Sequence, residues 1–253
     1  MSILVKRIFC YNNLRNFTYI ILASNGQAWI IDPYEASLVI NEIKKLGVNI
    51  QGILNTHDHF DHTRGNQELQ DYFNCPVLKV SSGQSVELGA GQSLEVLKTP
   101  GHTADHLVFL WKQNNFYQMI FAGDTLFNAG VGNCKNGGNV DDLFETTESL
   151  REKLPLEVAL QPGHDYLKNN LHFSLHVEPS NKEAAERLYQ LNNIETELLP
   201  PTTMREELLL NPFFRLDSAE MRESLLSVEQ RALSEPDVRR VLFKKLRSLR
   251  DNW

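Results

Sequence analysis

Seven side chains able to bind a metal ion fall in four short groups along the chain. The densest is Thr56-His57-Asp58-His59-Phe60-Asp61-His62, and Pro100-Gly101-His102-Thr103, Gly123-Asp124-Thr125 and Pro162-Gly163-His164 follow in order. Imidazole with carboxylate suits zinc, iron or manganese, whereas a purely structural zinc ordinarily takes thiolates. His57, His59, Asp61, His62, His102, Asp124 and His164 are too many for one four-coordinate ion. They suit two ions that share one carboxylate. Two cations about 3.5–4 Å apart can hold a hydroxide between them and polarise an electrophile together. A lone His or Asp in a loop is most often solvated, and the bare string HxHxDH can arise by chance. The three further groups, in order and each after an apolar run, outweigh that reading.

The other reactive side chains offer less. His106, four residues after His102, is expected to support or pack beside the ligands. His172 and His176 are spaced like helical ligands, but no Glu follows His172 as a metalloprotease motif requires, so a surface position is expected. Cys10, Cys75 and Cys134 are odd in number and form no CxxC pair. A disulfide framework and a thiolate zinc site are therefore disfavoured, and a reducing cytoplasm is the expected home.

The elements that must position these groups read as short strands: Ile3–Phe9, Thr18–Ala23, Trp29–Ile31, Ile50–Leu54, Val77–Val80, Leu94–Leu97, Leu107–Trp111, Met119–Phe121 and Val158–Leu160. They are rich in branched and aromatic residues and bounded by Gly, Asn, Asp or Pro. Ala36, Val39, Ile43 and Leu46 recur at helical spacing and predict a helix that Gly47 ends. A second helix is expected over Asp141–Leu154, stopped by Pro155. Every metal-ligand group follows a strand, and ligands in layered α/β folds gather on loops at one end of the sheet. After Gly163-His164-Asp165 the pattern becomes helical: Leu167–Val177, Lys182–Leu191, Thr203–Leu210, Ala219–Leu233 and Pro236–Leu249. A mixed-sheet domain over residues 1–166 followed by a small all-helical domain over 167–253 is the expected organisation.

Composition agrees with a soluble globular chain: 253 residues, 42% hydrophobic and 23% charged, enough to bury a full core. The net charge of −7 argues against a nucleic-acid partner. The apolar runs are too short to span a bilayer, and the start carries no signal-peptide pattern. One segment departs from this balance. The last fifteen residues hold six bases and one acid, a basic end on an acidic protein.

Taken in order, Thr56–His62, Thr99–Thr103, Phe121–Phe127 and Pro162–His164 resemble the metal motifs of the metallo-β-lactamase superfamily. The resemblance implies an αββα sandwich with a binuclear site. It assigns His57, His59 and His102 to one metal, Asp61, His62 and His164 to the other, and Asp124 to both. Gly163-His164-Asp165-Tyr166, Asn169–Phe173, Val177–Asn181, Glu206-Glu207 with Asn211–Arg215, and the ending Leu246–Trp253 are similar to the glyoxalase II (hydroxyacylglutathione hydrolase) family. That similarity covers the chain from its first strand to its last residue. It implies contact of Tyr166, Arg247 and Arg250 with the glutathione of a thioester substrate. The family's usual base after Gly-Cys-Gly falls at Asn133 here, and Lys135 can supply the charge from a shifted position.

The expected activity is thioester hydrolysis of an S-2-hydroxyacylglutathione of the S-D-lactoylglutathione type by a metal-bridging hydroxide. Asp61 and Asp124 would orient that hydroxide. Two divalent ions per chain are expected, zinc first, with iron or manganese as alternatives, in a monomer without nucleic-acid or membrane partners. The competing readings are a persulfide dioxygenase with one iron, a thioesterase or lactonase acting on a substrate without glutathione, and a non-enzymatic metal or glutathione sensor.

Overall fold

The computed structural model describes residues 4–23, 25–192 and 194–253. Ile3, at the start of the first expected strand, lies outside them. Two sheets carry the first two thirds of the chain. The first has the order β1 (Leu4–Phe9), β2 (Phe17–Leu22), β3 (Gln27–Ile31) and β4 (Asn49–Leu54), antiparallel except for the parallel pair β3–β4. The second contains β5 (Ser85–Gly89), β6 (Gln92–Lys98), β7 (Leu107–Gln113) and β8 (Phe116–Gly123). A two-stranded ribbon follows, β9 (Leu126–Phe127) with β10 (Gly130–Val131), and then β11 (Ala159–Pro162) joins the second sheet parallel to β8.

Strand alternation sorts the core into layers, because successive side chains point to opposite faces. Tyr19, Ile21, Trp29 and Ile31 meet Val96, Phe109, Trp111 and Phe121 between the sheets. On the outer face of the first sheet, Ile20, Ile30 and Ile53 receive Val39, Ile40 and Ile43 of helix α1 (Ala36–Leu46). Gly47 closes α1 with φ +64, a left-handed cap that glycine adopts without a Cβ penalty. Two short helices, α2 (Phe60–Thr63) and α3 (Asn66–Phe73), follow β4. The outer face of the second sheet offers Val108, Leu110, Ile120 and Ala122 to α4 (Val140–Lys153) and to the helices beyond residue 166. Together the layers form the αββα sandwich.

The helical segment comprises α5 (Leu167–Val177), α6 (Lys182–Gln190), α7 (Met204–Leu210), α8 (Ala219–Leu225), α9 (Val228–Arg231) and α10 (Glu235–Arg250). It shares one core with the second sheet. Phe173, Phe213 and Phe243 pack in the same cluster as Leu110, Phe144 and Leu160. Phe213 lies between Phe173 and Phe243, at ring separations of 6.3 and 5.1 Å.

Two sequence expectations are corrected. Val77–Val80 is not a strand: Val77 makes a single bridge to Ile53, and the run continues as irregular chain. Proline at 76 removes one ladder donor at its start, and Gly83 turns the chain soon after. The helix expected over Ala219–Leu233 is two helices, because Ser227 opens a new one with a reciprocal capping box to Gln230. Elsewhere, α3 and β5 were not anticipated. Of α3 only Leu69 is buried and of β5 only Leu88, so neither segment shows a strong apolar stripe. Lys244, exposed on α10, pairs with Asp141 of α4 at 2.9 Å.

The shared core predicts that Phe213→Ala, at a side chain 1% exposed, costs about 3–5 kcal/mol. Urea denaturation followed by both far-ultraviolet ellipticity and tryptophan fluorescence checks this, and the two signals should fall in one coincident, earlier transition.

Candidate metal centre

Four strands deliver the expected ligands to one place. β4 ends three residues before His57, β6 four before His102, β8 one before Asp124 and β11 two before His164. Helix α2 then returns Asp61 and His62 to the same point. Among the described residues, three overlapping groups have ligand atoms all within 4.8 Å of one another: His57, His59 and His102; His57, His62 and Asp124; and Asp61, His62 and His164. All seven sequence-selected residues are present in that set. Asp124 reaches both sides. Its Oδ2 lies 3.5 Å from His102 Nε2, and its Oδ1 lies 3.4 Å from His62 Nε2 and 3.3 Å from His164 Nε2.

The arrangement fits divalent cations on chemical grounds. His57 Nε2 stands 3.0 Å from His59 Nδ1, His102 Nε2 stands 3.1 Å from the same atom, and His62 Nε2 stands 3.3 Å from His164 Nε2. Rings so placed direct their nitrogens at a common centre. Asp124 Oδ1 is buried without a hydrogen-bond partner. Each of the four buried candidate-ligand imidazoles has its other nitrogen engaged: His57 Nδ1 with Thr56 Oγ1 at 3.0 Å, His62 Nδ1 with Asp32 Oδ2 at 3.0 Å, His102 Nδ1 with Asn133 O at 2.7 Å and His164 Nδ1 with Leu14 O at 2.7 Å. Such outer partners fix the tautomer and aim the ligating nitrogen.

Electrostatics separates the ligands. Burial, reinforced by the His62 charge, drives His57 far below the ordinary histidine range. Burial lowers His102 as well, so both favour the neutral form that metal binding requires. Burial opposes ionisation of Asp124, yet His164 and His62 hold it well below the usual carboxylate range. His62 goes the other way: despite burial, Asp124 and Asp32 raise it well above 6.5.

Close approach requires glycine beside the ligands. A Cβ on Gly163 would lie 2.5 Å from Asp124 Oδ1 and 2.7 Å from His62 Cε1. His106 does the supporting work expected of it. Its ring stacks 4.8 Å from His57, its Nε2 accepts from the Asp124 amide at 3.1 Å, and burial lowers it to about 3.

The sequence reading missed Asp32 and Asn16. Asp32 is 3% exposed and accepts from the Thr56 amide and hydroxyl at 2.8 and 2.7 Å while its Oδ2 also meets His62. Asn16 donates to Asp61 Oδ2 at 3.0 Å. A signal existed for Asp32, since it follows β3 directly and precedes a proline, as the ligand groups follow their own strands.

A recess of about 250 Å³ is lined by Tyr166, Asn133, Lys135, Arg247, Arg250 and Trp253, among others. Tyr166 joins it to the ligand cluster, because its ring lies parallel to that of His164 at 5.0 Å. Burial raises the Tyr166 phenol above its ordinary value, which keeps the hydroxyl protonated. Arg250 donates to Asn170 Oδ1 at 3.2 Å, and Lys135 Nζ to Asp251 O at 3.1 Å. Arg247 is more occupied than its place in a basic tail suggested. It is 6% exposed, its Nη1 donates to Val131 O at 2.9 Å and Gly132 O at 3.0 Å, and its Nη2 pairs with Asp251. Burial pushes the Cys134 thiol up to about 11, which disfavours a thiolate nucleophile. His172 and His176 are exposed on α5 and stand apart from the cluster.

Comparison with known proteins places this geometry in context. Residues 165–253 match the family model described as hydroxyacylglutathione hydrolase C-terminus, and residues 14–85 match that of the metallo-beta-lactamase superfamily. A hydroxyacylglutathione hydrolase of Nitrosococcus oceani is 35% identical over 99% of this chain and 100% of its own length. Another, from a Polaromonas species, is 36% identical with the same coverage. Among solved structures, a metallo-beta-lactamase from Staphylococcus aureus superposes with a TM-score of 0.66 at 20% identity, covering 98% of this chain and 73% of that one. ETHE1 from Myxococcus xanthus gives 0.64 at 22% identity, covering 97% and 99%. Identities this low speak for the fold alone.

The contacts of Asp32 predict that Asp32→Ala folds but binds zinc about 10–100-fold more weakly, the usual cost of removing an outer partner of a metal-bound histidine. Competition with a chromophoric chelator reads that affinity directly.

Proposed function

The chain belongs to the hydroxyacylglutathione hydrolase family of the metallo-β-lactamase superfamily, and from that premise we propose that it hydrolyses the thioester of an S-2-hydroxyacylglutathione, of the S-D-lactoylglutathione type, to glutathione and a 2-hydroxy acid. The observation that carries this reading is the continuity of the recess with the ligand cluster. One side chain, Tyr166, lines the recess and lies against the ring of His164. A substrate held by a charged, hydrogen-bonding tail in the recess would therefore present its reacting bond at the cluster.

In this reading His57, His59 and His102 hold one divalent ion, Asp61, His62 and His164 hold a second, and Asp124 serves both. Bound there, two such ions supply a water acidic enough to lose a proton near neutral pH and positive charge for the developing oxyanion. The residues do the remainder. Asp124, between the two ligand groups, and Asp61, held by Asn16, orient the attacking oxygen. Tyr166 remains a hydroxyl donor. No strong general acid is needed, because a thiol of pKa about 8.5 leaves readily as thiolate. Arg250 and Lys135 meet the carboxylates of glutathione, Arg250 through the planar fork suited to bidentate pairing. Arg247 forms the wall behind them.

Residues 1–166 would then act as the catalytic domain and 167–253 as the substrate-binding one. The reading includes zinc as the metal, a monomer, a reducing cytoplasm, and no nucleic-acid or membrane partner. Cys10, Cys75 and Cys134 are all free, and no helix among the described residues is long and apolar enough to cross a membrane. A single-iron dioxygenase would leave the convergence of Asp61, His62 and His164 without a use.

The test is a substrate panel on the metal-replete protein. S-D-lactoylglutathione should be turned over far better than the matching short thioester without the glutathione peptide or a simple aryl ester. Arg250→Ala should raise KM for the glutathione substrate about tenfold, the range for a lost charged hydrogen bond, while leaving the short thioester unaffected. Equal activity on aryl esters would contradict the glutathione assignment.

A further inference from the structure

The ribbon β9–β10 and the turn that follows it are gripped residue by residue. Asn170 Nδ2 donates to Asn128 O at 3.0 Å, and the Ala129 amide donates to the Glu207 carboxylate at 3.0 and 3.1 Å. Asn211 Nδ2 donates to Gly130 O at 3.1 Å, and Arg247 Nη1 donates to Val131 O and Gly132 O. The next carbonyl, Asn133 O, faces Nδ1 of the candidate ligand His102 at 2.7 Å. From 128 to 132 the partners come from α5, α7, its cap and α10, and at 133 the partner is in the metal centre. The backbone here also passes very close to Asp124: a Cβ on Gly132 would fall 1.9 Å from Asp124 O and 3.2 Å from His102 Nδ1.

Glu207 is the deepest of these grips. It is fully buried, and besides Ala129 it accepts from the Thr202 hydroxyl at 2.5 Å and Asn211 Nδ2 at 2.8 Å. All its partners are donors, so an acceptor is required on both oxygens. Burial works against its charged form and lifts the carboxyl to about 7, opposed by those same bonds. The residue it holds, Ala129, sits at φ +58. A non-glycine residue in that left-handed region persists only where its surroundings over-determine it.

From this geometry we propose that Glu207 is a positioning residue for the metal centre: through the Ala129 amide it fixes the segment 128–133, so that Asn133 aims His102 and the backbone at Gly132 abuts Asp124. The helical segment thereby sets metal affinity as well as holding substrate. The proposal rests on the metallohydrolase reading, and its primary readout needs no substrate.

The experiment compares Glu207→Gln with Met221→Ala, a fully buried helical-segment change whose side chain shares none of these hydrogen bonds. In Glu207→Gln an amide donor replaces one acceptor oxygen. The variant should keep wild-type circular dichroism, bind zinc about tenfold more weakly by chelator competition, and lose about tenfold in kcat with KM within twofold. Met221→Ala should lower Tm but keep wild-type zinc affinity and kcat well below its transition. Should Glu207→Gln fail to fold, Thr202→Val removes, at nearly constant shape, the hydroxyl that donates to Glu207 and accepts from Asn128 Nδ2 at 2.7 Å, and should show the same split at smaller size. Wild-type zinc affinity in a folded Glu207→Gln or Thr202→Val, or an equal loss in Met221→Ala, overturns the proposal. A wild-type protein inert towards S-D-lactoylglutathione would refute the hydrolase reading and leave the zinc comparison intact.

Discussion

Five imidazoles and two carboxylates converge on one small volume, and the mutual placement of their lone pairs is the constraint on which the rest depends. Ring nitrogens aimed at one another across 3.0–3.3 Å give up their hydration without gaining ordinary partners. Such a cluster is costly unless cations occupy its centre and each ring is held from behind. The surrounding structure supplies that backing. Asp32, Thr56, Asn133 and Leu14 engage the second nitrogens, and His106 supports the amide of Asp124. Glycine stands where a Cβ would strike a ligand. The two parallel pairs, β3–β4 and β8–β11, make this possible, because they bring the C-terminal ends of four strands to one rim.

Seen from the rim, the helical segment has two tasks in one set of contacts. Arg247 and Arg250, with Tyr166 at the cap of α5, line the recess proposed for substrate, while Asn170, Glu207, Asn211 and Arg247 hold the backbone that ends against His102. Arg247 belongs to both sets. The shared core around Phe173, Phe213 and Phe243 ties these tasks together, since a shift of α10 would move the recess wall and the Val131–Gly132 carbonyls at once.

Much of this was legible in the sequence because metal ligands and strands leave local signals. The seven ligand candidates stood out through residue type, spacing and position after apolar runs. The helix over 36–46 was readable from its period and its terminal Gly47. What escaped notice depends on distant partners. Asp32 is a single carboxylate whose meaning comes from His62, thirty residues on, and Glu207, named only within a stretch of family similarity, acquires a role once its burial against Ala129 is seen. Arg247 was expected, by resemblance, to contact glutathione, yet its guanidinium is largely spent on backbone carbonyls. The apolar run at Val77–Val80 misled because composition alone does not provide a pairing partner, and the break at Leu226-Ser227 was encoded in a capping box that the apolar period obscured.

The proposed hydrolysis depends on two metal ions acting together. Titrating the metal-free protein with zinc, and following bound metal and thioester turnover in the same samples, tests it most directly. Two equivalents per chain should bind, with turnover reaching its plateau only as the second site fills. Full turnover at one equivalent, with no second tight site, would mean that one ion suffices and contradict the binuclear mechanism.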